Sequence, residues 1–434
     1  MISHPPRESA RKSWSWVALW VAFIYLTIPL ARAVRTYIDD SIGRIWFAYA
    51  VIAVVLAGGI FGAVKLWKGI RGIQWTSMVL LVLIITIYIG WTVHLAGESA
   101  EEAVHFLFYG VLALLLFRAF SHRVRDVTIY AAVAIGGAIV GTVDEIIQWF
   151  VPDRYFDFRD VRLNLSSCLL MVAAIGLCFR PAYITRNVLP RSYLRLLGLG
   201  TVFWVLIFFC RVNTPALQAS YAKLLPAFSE ILIHGEVMTE FGYRYVDTDI
   251  GSFKSRLYPP ELELQDRERA VDAGQVLDTF HSPHRYKEFL DEYTSAKDPF
   301  LHEARVHLFR RDRYRHRLAE LEEDDHETAA HYAMIAYREN LIMERYFPHT
   351  MSNTMFRLRR DTVSKLRELQ DKEAPYESKV SNHVVTRLTV NEVILRMLGI
   401  EAGWILVCTG LYFWSARRSG AETGGGAPIE EFPE

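Results

Sequence analysis

Apolar and polar positions in this chain fall into long blocks. Eight mostly apolar stretches reach the length of about 18 residues that a membrane-crossing helix needs. They run roughly Trp14–Ala31, Ile45–Val64, Trp75–Val93, Ala103–Phe120, Val127–Val151, Leu163–Phe179, Tyr193–Cys210 and Val393–Ser415. Between Arg211 and Arg396 the chain turns polar and charged. The pattern predicts an all-α protein: a polytopic membrane helix bundle of about eight transmembrane helices, with a mostly helical extracytoplasmic domain between the last two spans. The segments read as two N-terminal spans (1–74), a transmembrane core (75–180), a seventh span (181–211), the extracytoplasmic domain (212–392), a last span (393–416) and a disordered tail (417–434).

Loop charge adds an orientation, because Lys and Arg collect on the cytoplasmic side. Arg7, Arg11 and Lys12 precede the first span, Lys65, Lys68 and Arg71 follow the second, and Arg118, Arg123 and Arg125 follow the fourth. Arg180, Arg186 and Arg191 follow the sixth, and Arg417 and Arg418 follow the last. The third loop instead holds Glu98, Glu101 and Glu102. The alternation predicts both termini in the cytoplasm and residues 212–392 outside. Pro29 and Arg32 suit a cleavage site poorly, so the first span is expected to stay as an anchor. All four cysteines lie in or at the ends of spans, which leaves the polar domain to fold without disulfides.

One polar cluster does not fit an apolar span. Asp144 and Glu145 are adjacent, roughly 10 Å inside the end of the fifth span at 1.5 Å per residue. An unpaired charge there costs on the order of 2.5–3.5 kcal/mol on insertion scales. Partners are available at matching depth. Gln148 stands i+4 from Asp144 and i+3 from Glu145, within reach of either. His105 and Tyr109 lie one turn apart on the preceding span, Arg154 and Asp160 follow in the loop, and Asn164 opens the next helix. Gly137 and Gly141 would let a neighbouring helix approach closely. These groups form either a binding site or a set of staples that hold helix ends together, with Arg154–Asp160 and His105–Glu145 as the candidate staples.

Four elements in order carry a resemblance. They are Glu101-Glu102-Ala103-Val104-His105-Phe106 with Tyr109, Asp144-Glu145-Ile146-Ile147-Gln148, Phe150-Val151-Pro152-Asp153-Arg154, and Asp160-Val161 with Asn164. Over about residues 75–179 the chain resembles VanZ-like membrane proteins. It departs from them at Glu101-Glu102, where members often have Asp-Lys, and at Ser167, where they favour Gly. The resemblance implies a bacterial cytoplasmic-membrane protein associated with resistance to teicoplanin-type glycopeptides, through an activity the family does not define. With the residues it implies a binding site made of His105, Tyr109, Asp144, Glu145, Gln148, Arg154, Asp160 and Asn164. The expected ligand is a membrane lipid or an anionic lipid-linked cell-wall precursor. The alternatives are an enzyme acting on a lipid headgroup by acid/base chemistry, or a scaffold that anchors the polar domain.

The polar domain adds little chemistry. His326–Phe347 and Thr354–Glu373 read as helices, and Tyr243–Pro260 as irregular. Its histidines lack a shared-ion spacing and no Cys pair is present, so no metal or other cofactor is expected. They read as surface residues, and the Arg310–Arg317 run reads as an exposed helix face. No phosphate-cradling loop or nucleophile elbow occurs, and nucleic acid is not an expected partner. An envelope protein partner is, through the polar domain.

Overall fold

The computed structural model describes residues 5–30, 44–69, 75–98, 100–151, 154–224, 237–322 and 325–423. The chain divides into two compact units, Met1–Phe209 with Leu395–Glu434, and Cys210–Ile394.

Among its described residues the first unit is built of helices, with a single bridge between Asp126 and Thr185. In chain order its helices are α1 (Ala10–Thr27), α2 (Arg44–Gly69), α3 (Trp75–Glu98), α4 (Ala100–Phe120), α5 (Thr128–Phe150), α6 (Phe158–Ala173, continued by a π-helical turn over Ala174–Phe179) and α7 (Pro190–Val212), with the last helix returning over Val390–Thr423. Among the described residues, seven helices are long and apolar enough to cross a membrane: α2 to α7 and the last one. The block expected at Trp14–Ala31 does form α1, but Arg11 and Lys12 occupy its first turn and dilute its apolar length. Residues 31–43, with the Ala31-Arg32-Ala33 sequence, lie outside the described residues, as do Pro152, Asp153 and the tail from 424.

α4 sits at the centre of this unit, packed against α1, α3, α5 and α6. Tyr109, Leu112, Leu116 and Phe117 of α4 are buried with Ile129 and Val133 of α5 and Cys168 of α6. Leu19, Phe61, Val82 and Leu406 stay exposed on their helices, as apolar side chains do when hydrocarbon is the solvent. The small residues of α5 set how close α6 comes. A Cβ on Gly137 would stand 2.3 Å from Cys168 Sγ, and one on Gly141 would stand 3.0 Å from Asn164 Cβ. Ser167 is buried and donates to the Phe106 carbonyl, and its oxygen lies 3.1 Å from the Tyr88 hydroxyl, a bridge between α6, α4 and α3.

The second unit carries α8 (Pro215–Ala222), β1 (Tyr243–Asp247), β2 (Gly251–Ser255), α9 (Pro259–Glu268), α10 (Ala270–Thr279), α11 (Tyr286–Glu292), α12 (Pro299–Ala319), α13 (His326–Tyr346), α14 (Pro348–Ser352) and α15 (Arg360–Leu369). The last helix, Val390–Thr423, is α16. The stretch read as irregular is an antiparallel hairpin, with Tyr245 opposite Phe253. Its turn is built locally: the Asp247 carboxylate accepts the backbone N–H groups of Asp249 and Ile250, and Gly251 takes φ +101°. The helix expected at Thr354–Glu373 is shorter, because Thr354 is drawn away to bond Asp278.

The reading of histidines and arginines as surface groups also needs correction. His307 is fully buried and its Nδ1 lies 2.6 Å from Glu339 Oε2. Arg311 is buried too, donating to Asn340 Oδ1 and the Phe356 carbonyl. Arg305 is buried against Tyr286, Phe289 and Phe309, and donates to the carbonyls of Phe280 and His281. A spread of charged residues along α12 hid these cations, because the carbonyl and amide acceptors named here lie 24 or more residues away in sequence.

Two segments of this unit that lie far apart in sequence pair. Gly242 donates to Val385 and Val385 to Glu240. Beneath the pair, Glu240 and Glu303 converge on Arg256, and His383 Nε2 lies 2.6 Å from Glu240 Oε2. Burial alone would raise the Glu240 carboxyl, but the bonds and charges of His383 and Arg256 win and hold it at about 2.

Candidate functional site

Three helices and one loop build the polar layer that the sequence singled out. α5 contributes Asp144, Glu145 and Gln148, all buried. Asp144 lies six residues before the end of α5 at Phe150, about 9 Å along the axis. α4 contributes His105 and Tyr109, one turn apart. α6 contributes Asn164, buried, and Asp160 in its first turn, half-buried. α6 starts where it does because Asp157 caps it: its carboxylate accepts the Arg159 N–H.

Glu145 is well satisfied. Gln148 donates to its Oε1 at 2.8 Å, and the backbone N–H of Asp157 donates to its Oε2 at 3.2 Å. Arg154 in turn donates to Gln148 Oε1 at 2.5 Å. A chain of bonds therefore runs from the loop guanidinium through the amide to the buried acid. Arg159 pairs with Glu102 at 3.0 Å and ties the start of α6 to α4.

Asp144 differs from its neighbour. It is fully buried, and neither of its carboxylate oxygens has a hydrogen-bond partner among the described residues. His105 Nδ1 approaches Oδ2 to 3.5 Å, which is an ion-pair distance but too long for a good hydrogen bond. The Tyr109 hydroxyl and the Asn164 Nδ2 are likewise buried without a partner. Both line the same spot: a Cβ on Gly141 would meet Asn164 Nδ2 at 3.3 Å and Tyr109 Cε1 at 3.4 Å. Buried polar groups are nearly always bonded. Four unpaired atoms on three adjoining helices mark a place where the fold leaves hydrogen-bonding capacity open.

All eight residues singled out from the sequence thus fall in one region of the bundle, but their pairings differ from the staples first considered. His105 faces Asp144 rather than Glu145, and one bond of Arg154 goes to Gln148. Glu101 contributes no described side chain.

Residues 14–179 match the family model of VanZ/LLP1. They form a VanZ-like region. No curated protein and no solved structure matches the chain. The VanZ-like match begins at residue 14, well before the resemblance at 75–179, and so takes in α1 and α2 as well. The geometry gives a reason. Tyr25 of α1 donates to the Val140 carbonyl at 3.1 Å, one turn before Asp144, and Trp20 donates to the Phe108 carbonyl at 3.0 Å. α1 therefore packs beside this polar layer, on a side the motifs did not cover. The signal for it was present as polar-tipped aromatics, Trp20 and Tyr25, deep in an apolar block. Residues 180–434, with the second unit, lie beyond the match.

Proposed function

We propose that this VanZ-like membrane protein binds the headgroup of a phosphate-bearing lipid, or of a lipid-linked cell-wall precursor, in the polar layer between α4, α5 and α6. The observation that carries the reading is Asp144: a fully buried carboxylate left unsatisfied beside a Glu145 that is fully bonded. A staple would have used it. Arg154, at the loop end of the bond chain, is the cation suited to the ligand's phosphate. The acids lie deeper, so the anionic part of a ligand belongs at the loop and its polar remainder at Asp144. The alternation of basic and acidic loops supports a site on the outer side of a bacterial cytoplasmic membrane, both termini inside, and the second unit outside, where it would meet an envelope partner. Altered exposure to teicoplanin-type glycopeptides is the cellular consequence that this reading supports.

A second reading is acid/base chemistry on the headgroup, and the 3.5 Å approach of His105 to Asp144 favours it. One set of variants tests both: Asp144→Asn, Glu145→Gln, Arg154→Ala and His105→Ala, with teicoplanin susceptibility, membrane abundance and bound lipid measured for each. Loss of function and of bound lipid at normal abundance is expected. Loss of abundance instead would mean that the layer only holds the bundle together. Turnover of a purified lipid would move the conclusion to the enzyme.

A further inference from the structure

The end of the site at Asp144 carries a more specific chemistry. We infer that it takes a primary ammonium group with an oxygen acceptor a few bonds away, the pattern of a phosphoethanolamine headgroup. The inference rests on the ligand-binding reading above and names what the ligand must present.

The unpaired atoms define the demand. Asp144 offers two open acceptor oxygens, Tyr109 a hydroxyl and Asn164 an amide N–H. A primary ammonium supplies three donors from one point charge. Two can reach the Asp144 oxygens and the third the Tyr109 oxygen, while the Asn164 N–H takes the neighbouring ligand oxygen. A phosphate placed there instead would meet a carboxylate, with a second acid next to it in the chain. Asp160 and Asp157 also lie within electrostatic reach of Glu145. The surroundings therefore repel an anion at this depth and favour a cation. Within the protein, His105 faces Asp144 without closing a hydrogen bond, and Arg159 is engaged by Glu102. A bare metal ion is the weaker fit, because among the described residues no three His, Cys, Asp or Glu side chains gather as its ligands. An ammonium beside a phosphate also matches the order of the site, with Arg154 toward the loop and Asp144 inside.

The test uses the full-length protein purified in detergent and examined by native mass spectrometry. It is offered phosphatidylethanolamine, phosphatidylglycerol and N-acetylated phosphatidylethanolamine in equal amounts. Phosphatidylethanolamine should be retained about tenfold over the other two, the ratio expected for one charge-assisted hydrogen-bonded contact. Asp144→Asn should erase that preference. The acetylated lipid makes the same comparison on the unaltered protein, so a variant that fails to fold does not decide the matter. Soluble O-phosphoethanolamine separates sources: displacement of the lipid assigns recognition to the headgroup alone, and resistance to displacement assigns it to the whole lipid. Equal retention of all three lipids, lost in Arg154→Ala, would overturn the ammonium while leaving a phosphate-binding site. Retention of none would overturn both.

Discussion

Glu240 and Arg256 meet inside the second unit at 2.5 Å, each almost fully buried, and His383 closes on the same carboxylate from the other side. Glu240 is thereby held at about 2, below the ordinary carboxylate value of 4.5. A group depressed on folding contributes stability that is complete above its unfolded value and lost as pH falls toward its folded one. The unit should therefore keep its thermal midpoint from neutral pH down to about pH 5 and lose it progressively below about pH 4.5. A depression of that size corresponds to roughly 3 kcal/mol. Glu240→Gln should be less stable at pH 7 and show a flatter acid limb, measured by circular dichroism melts. An acid limb as steep as the parent's would show that Glu240 is not what titrates.

Arg256→Met removes the cation that Glu240 and Glu303 share. Two buried acids would be left without their charge partner, and a loss of about 3–5 kcal/mol is expected. Hydrogen exchange at Gly242 and Val385, which pair just above this cluster of charges, would read it locally.

Gly137 and Cys168 set the approach of α5 to α6. Gly137→Ala places a methyl 2.3 Å from Cys168 Sγ and should cost about 1–3 kcal/mol through overpacking. Adding Cys168→Ala removes the sulfur, so the double variant should melt above the Gly137→Ala single. Additive losses would mean that the helices already shift freely.

Gln148→Leu breaks the chain from Arg154 to Glu145. It leaves a buried acid one partner short, for an expected loss of about 1–3 kcal/mol in detergent melts. Glu145→Gln in the same background should recover part of it, since a neutral amide is cheaper to bury than a carboxylate.

Orientation is open to a direct measurement. All four native cysteines are buried, so they should resist a membrane-impermeant maleimide. A cysteine placed at Asp291 should label in intact cells, and one placed at Arg186 should label only after lysis. The reverse pattern would put the second unit in the cytoplasm.

The bundle was legible from apolar block length, and spacing put Gln148 within reach of both acids without saying that Glu145 takes its bond. The partner of His105 was not, because adjacent acids one residue apart project 100° apart on a helix and spacing cannot say which one faces α4. Trp20 and Tyr25 stood out as polar-tipped aromatics, but their acceptors were hidden for a different reason: they are backbone carbonyls of other helices. In the second unit the buried Arg311 and His307 read as solvated residues, because a charged helix shows its inward face only once its packing partner is known.

The pairing of Gly242 with Val385 has a consequence of its own. The chain between them, which holds both strands and helices α9 to α15, is a loop closed on itself by hydrogen bonds.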